Sequence, residues 1–160
     1  MAVITSLADT QLAVVTALAH RIWPHSYAGI LTPEQIEHLL QHIYTETNLQ
    51  HEIDGGHRFW LAYEDGVPVG FASAYREGEI LWLRKLYVLP EMQGRGIGAA
   101  LTQTATSAFA GAKEMRLLVN KNNLAAQAFY TKTGFQCIEE LTVQMGDYHF
   151  EDFLYAKSLR

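Results

Sequence analysis

The chain has 160 residues, 49% of them hydrophobic and 18% charged, which excludes a polar disordered chain and suits one domain, residues 1–160, with a real core. A formal net charge of −5 argues against a nucleic-acid partner, whose binding needs clustered Lys and Arg. No stretch approaches the ~20 apolar residues of a membrane helix, the first ten residues carry no signal-peptide pattern, and the single cysteine, Cys137, permits no intrachain disulfide. The expected location is therefore cytoplasmic, with no membrane partner.

Val3 and Ile4 read as a short first strand. Leu12, Val15, Leu18, Ala19 and Ile22 follow at helical spacing, and Pro24 is expected to end that helix, leaving Trp23 to Tyr27 as a loop. Thr32-Pro33-Glu34-Gln35 is a helix start: Thr caps, Pro takes the first position, and Glu and Gln complete the first turn. Ile36, Leu39, Leu40 and Ile43 form its apolar face, while Glu46 to Gly56 reads equally as a short helix or a loop. His38 and His42 lie four apart on this helix, but Glu37 precedes His38, so no H-E-x-x-H metal pattern exists and no third ligand is evident. No metal is expected.

Phe59 to Tyr63 and Val69 to Tyr75 read as strands joined at Asp65-Gly66, and Glu77-Gly78 leads into a third, Ile80 to Val88, stopped by Pro90. Such short connections predict antiparallel pairing. A helix bearing Ile97, Leu101, Ala105, Ala108 and Phe109 then crosses over to the strand Met115 to Val119, which should run parallel to Ile80–Val88. Asn122 or Asn123 caps a further helix, Gly134 is its C′ residue, and Phe135 should pack back on the last turn. Two final strands, Phe135 to Met145 and Tyr148 to Lys157, meet at Gly146-Asp147. Cys137, close to Phe135, is expected to be buried packing. The outcome is a mixed sheet with helices packed on it.

The stretch Gln93-Gly94-Arg95-Gly96-Ile97-Gly98 joins an apolar strand to a helix. Glycines let backbone approach a ligand closely, and the first N–H groups of a helix point at its negative charge, so this turn is a device for holding phosphates. A dinucleotide site fits poorly: the spacing is G-x-G-x-G, and the turn follows a meander rather than the first strand of a βαβ unit. A P-loop is absent, since no Gly-Lys-Ser/Thr follows. A structural glycine turn with no ligand is the plain alternative, and coenzyme A is the second candidate, through a resemblance.

The run Leu86 to Gly98 resembles the acyl-CoA signature Q/R-x-x-G-x-G/A of the GNAT superfamily of N-acetyltransferases. Val119 to Asn123, with Ala126, Ala128-Phe129-Tyr130 and Gly134-Phe135, resembles that superfamily's fifth-strand and fourth-helix motif. The resemblance implies an α/β fold, a central mixed, mostly antiparallel sheet of about seven strands flanked by about four helices. It implies acetyl-CoA as acyl donor, with the pyrophosphate on the N–H groups of Gly94, Arg95, Gly96, Ile97, Gly98 and Ala99, and Gln93 orienting the turn. The pantetheine arm would pair along Leu86, Tyr87 and Val88, beside a gap opened by a bulge near Lys85 or Leu86. The Leu86 N–H is the implied donor to the thioester oxygen. Asn123 and Tyr130, seven apart, share one helix face. The family pattern makes Asn123 a cofactor contact and Tyr130 the proton donor to the departing thiolate.

The implied reaction is direct attack by an amine, which must first lose a proton. Positions where relatives carry a glutamate base hold Trp82 and Leu118 here, neither of which accepts a proton. Tyr75, Glu77, Glu79, His149 and Glu151 are alternatives, and none stands out. Trp23, His25, Tyr27, Phe59, Tyr148 and His149 are the candidate walls of the acceptor side, fit to stack on a cation or a ring. The expected partner is a small-molecule or peptide amine, and pairing of the last strands is compatible with a homodimer. The alternative is a catalytically weak CoA-binding module with a sensing role.

Overall fold

A computed structural model describes residues 2–159. The elements run β1 (Val3–Ser6), α1 (Leu12–Ser26), α2 (Pro33–Ile43), α3 (Glu46–Asp54), β2 (Arg58–Glu64), β3 (Val67–Glu77), β4 (Ile80–Val88), α4 (Ile97–Ala108), β5 (Glu114–Asn120), α5 (Leu124–Lys132), β6 (Gln136–Met145) and β7 (Tyr148–Ser158). The seven strands form one open sheet in the order β1-β2-β3-β4-β5-β7-β6. Every neighbouring pair is antiparallel except β4 with β5. That exception follows from connectivity: β4 reaches β5 through the crossover helix α4, whereas the antiparallel hairpins need only tight turns.

Local sequence accounts for most element ends. Thr32 and Gln35 form a reciprocal capping box at the start of α2: the Gln35 N–H donates to Thr32 Oγ1 at 3.1 Å and the Thr32 N–H to Gln35 Oε1 at 2.9 Å. Thr45 does half of this for α3, accepting from the Asn48 N–H at 3.1 Å, so the ambiguous stretch folds as a helix. Pro24 does not end α1; the helix carries it in its last turn and runs to Ser26. Past Pro24 the Tyr27 N–H still donates to the Trp23 carbonyl at 3.0 Å, so the loss of one late donor is tolerated at a helix end.

The core is continuous across the sheet, with Val15, Ile22, Leu39, Leu61, Phe71 and Leu81 among its fully enclosed members. The outermost strand β6 is largely exposed, and with it Cys137, contrary to the expectation of burial. Being near Phe135 in sequence does not bury Cys137, because β6 pairs only with β7 and nothing covers its outer edge.

Two irregularities in β4 shape the site. Ser73 pairs with Lys85 but Ala74 with Leu83, so Arg84 is an extra residue, a bulge one position earlier than the sequence suggests. Secondly, β4 and β5 pair only at Ile80–Trp82 with Glu114–Arg116. Beyond that seam they part, and β5 continues on β7 alone as far as Asn120.

Candidate active site

The glycine turn sits at the end of β4. Gly94 and Gly96 have φ of +80° and +81°, a left-handed backbone that side-chain-bearing residues adopt only at a cost. A Cβ on either would meet nothing within 4 Å, so the space above the turn is open. Gly96 is the N-cap of α4, and the first helical bond runs from Ala100 N–H to the Gly96 carbonyl at 3.0 Å. The N–H groups of Ile97, Gly98 and Ala99 therefore lie ahead of the helical ladder, as an anion site requires. Gln93 ties the turn to β4: its amide donates to the Val88 carbonyl at 3.1 Å. The Arg95 side chain is exposed. Gly98 has a second reason to be glycine, since a Cβ there would stand 3.3 Å from the Phe129 ring of α5.

Strand β4 forms one lip of the split. Leu86 and Tyr87 are half-buried there and Val88 is buried. Gly70 of β3 buttresses this lip so closely that a Cβ would come within 2.9 Å of the Tyr87 carbonyl oxygen.

Helix α5 follows β5, the strand across the split. Asn123 caps it, accepting from the Ala126 N–H at 3.2 Å. Its far end closes in a Schellman motif: the Phe135 N–H donates to the Tyr130 carbonyl at 2.9 Å, the Gly134 N–H to Thr131 at 3.2 Å, and Gly134 takes φ +101°. That closure fixes Tyr130, whose ring packs edge-on against Phe129 and Phe135 at 5.3 and 5.5 Å. Burial, with Tyr87 adding to it, pushes the Tyr130 phenol well above its usual range.

Between α1, β4, β5 and β7 lies a cavity of about 80 Å³. Trp23, Tyr27, Tyr44 and Tyr87 make its aromatic wall, and Tyr27 and Tyr87 share a 2.9 Å hydrogen bond through their hydroxyls. The bulge places consecutive cations, Arg84 and Lys85, on this same side. Asn120 and its register partner Asp152 complete the β5–β7 wall. Burial, and secondarily Glu151, raises the Asp152 carboxyl above the ordinary range. Lys85 is only 4% exposed and pairs with Glu52 of α3 at 2.5 Å, yet burial still lowers its pKa to about 8.

Residues 27–151 match the sequence model of the acetyltransferase (GNAT) domain. The chain belongs to the GNAT acetyltransferase family. An uncharacterised N-acetyltransferase of Mycobacterium tuberculosis is 33% identical over 149 residues, 91% of this chain and 96% of that protein. The spermidine N(1)-acetyltransferase of Thermoplasma acidophilum is 29% identical over 140 residues, 83% of this chain and 87% of its own. Among solved structures, the PaiA N-acetyltransferase of Thermoplasma acidophilum in complex with coenzyme A superimposes with a TM-score of 0.86 at 27% identity, covering 99% of each chain. This GNAT protein is thus an acetyl-CoA-dependent N-acetyltransferase, and its seven-stranded open sheet is the GNAT sheet.

Of the sequence-derived cofactor residues, Leu86, Tyr87 and Val88 lie on β4, Gln93 to Ala99 form the glycine turn and the start of α4, Asn123 caps α5 and Tyr130 lies near its end. Of the six residues expected on the acceptor side, Trp23 and Tyr27 line the cavity, while His25, Phe59, Tyr148 and His149 do not. Of the alternative bases, Glu79 pairs with exposed Lys113 at 2.9 Å, Tyr75 stacks on His57 at 4.4 Å, and Glu151 accepts from Thr142 at 3.0 Å. None of the five lines the cavity. Asp152 and Arg84 do, and both were missed. The signal for Asp152 was an acid alternating with Phe150 and Leu154 on one face of the last strand. Among the described residues no group of three or more His, Cys, Asp or Glu is arranged to hold a metal, and no helix is long and apolar enough to cross a membrane.

Proposed function

We propose that this enzyme transfers the acetyl group of acetyl-CoA to a primary amine of a small molecule or protein by direct attack. The observation that carries the proposal is the β4–β5 split, which has a glycine turn opening the N-terminus of α4 at one end and the aromatic cavity on one side. The pyrophosphate rests on the N–H groups of Gly94 to Ala99 in this reading, and the pantetheine arm lies along Leu86, Tyr87 and Val88, as an added strand would. Asn123 contacts the cofactor from the start of α5.

In the reaction the amine, having lost one proton to solvent, attacks the thioester carbonyl; the C–N bond forms, the C–S bond breaks, and the nitrogen gives a second proton to solvent as the amide forms. The Leu86 N–H supports the developing oxyanion. Tyr130 faces the departing sulfur. Its raised pKa keeps it protonated at neutral pH, as a donor must be. A thiol of pKa about 8.5 holds its proton less tightly than that phenol, so Tyr130 acts mainly by hydrogen bonding to the thiolate, with solvent completing the transfer.

The test is thiol release from acetyl-CoA against alkyl amines, polyamines, amino acids and amino-terminal peptides. Release with one class supports the transferase and names its acceptor. Cofactor binding by calorimetry without release would favour a catalytically weak CoA-binding module, and no binding would refute the site assignment.

A further inference from the structure

We propose that the acceptor is a small zwitterionic amine, its anionic group held by Arg84 and its ammonium received at Asp152, where it loses a proton to solvent before the free amine attacks. This rests on the transferase reading above and adds the acceptor's charge pattern. Three charged side chains line the cavity: Arg84, Lys85 and Asp152. Lys85 is already matched by Glu52 at 2.5 Å and is enclosed beneath the aromatic wall. That leaves one cation and one anion facing the cavity. Among the described residues no side-chain hydrogen bond or ion pair engages the Arg84 guanidinium or the Asp152 carboxylate.

The two do not satisfy each other. Among the described residues no ion pair joins them, although both line the cavity. A half-buried carboxylate without a partner is costly, and an incoming ammonium offsets that cost. A guanidinium presented on a bulge is suited to a planar carboxylate, which it grips through two parallel N–H donors. The same guanidinium repels a second ammonium, so it works against polyamines.

The test is kcat/KM for ω-amino acids from glycine to 6-aminohexanoate, each set against the alkyl amine of equal length and against spermidine. One chain length should exceed its carboxylate-free match and spermidine by at least about tenfold. Arg84→Gln should bring that ratio to within about threefold of unity, and Asp152→Asn should lower kcat/KM for every amine by about 30-fold or more, with acetyl-CoA affinity by calorimetry confirming that both variants fold. Faster turnover of spermidine or plain amines, or a ratio indifferent to Arg84→Gln, overturns the inference while leaving the transferase intact. If no amine is acetylated, the transferase reading falls and takes this one with it.

Discussion

Replacing Gly96 by alanine separates the strain of the glycine turn from its use. Gly96 sits at φ +81° with nothing within 4 Å of an added Cβ, so the methyl group clashes with no protein atom. The left-handed backbone alone then costs about 1–2 kcal/mol. For a chain of this size that lowers Tm by about 2–8 °C. The cofactor should suffer differently, because the methyl group enters the space assigned to the pyrophosphate. Losing one hydrogen bond to a charged group is worth about 1.5–3 kcal/mol, which weakens CoA binding roughly 10- to 150-fold. Gly78→Ala is the matched control: φ +61°, equally open, but at the β3–β4 turn. It should lose similar stability and keep full CoA affinity. Calorimetric titration with CoA beside a thermal melt reads both quantities. If Gly96→Ala melts early yet binds CoA within twofold of the parent, the phosphates do not rest on this turn.

Three further outcomes follow from the geometry. Tyr130→Phe should lower kcat by about 100-fold or more with CoA affinity unchanged, measured by thiol release and calorimetry. Asn123→Ala removes the cap of α5 and should cost about 1 kcal/mol in urea unfolding. Glu52→Gln strips the buried Lys85 of its counter-charge and should cost about 3–5 kcal/mol, whereas Glu52→Leu combined with Lys85→Met should cost less than the single change. The same lysine sets a pH signature. Its native pKa of about 8 lies below the unfolded value near 10.4, so between those limits the unfolded chain binds more protons and stability rises with pH. Urea midpoints at pH 7.5 and 10 should show this rise in the parent protein and its loss in Lys85→Met.

What could be read from the residues in order was whatever is decided locally. The Thr32 cap, the cap read as Asn122 or Asn123, the Gly134 closure and the glycine turn each need only a few neighbouring residues, and the structure takes Asn123 for the cap. Pro24 misled because a proline near a helix end forfeits little. Cys137 misled because burial depends on what lies across the sheet, and β6 has a neighbour on one side only. The cavity was the least legible part. Arg84 reaches it through a bulge that shifts one strand against another, and Asp152 reaches it through register with Asn120 on a strand far away in sequence. Neither fact is a property of any short window.

The seam between β4 and β5 has a mechanical consequence. Three register pairs, Ile80–Trp82 with Glu114–Arg116, are the ladder that joins the β1–β4 half of the sheet to the β5–β7 half. In the proposed pose, a cofactor arm laid along β4 would act as a splint across the two halves, and the enzyme's resistance to unfolding would become a function of its donor's concentration. At one hundred times the dissociation constant that contribution reaches about 2.7 kcal/mol, a large share of a typical domain's reserve. Amide exchange at Leu86–Val88 and Leu118–Asn120 should slow in step with occupancy. A cell that depletes its acetyl-CoA would then slacken this protein as well as starve it.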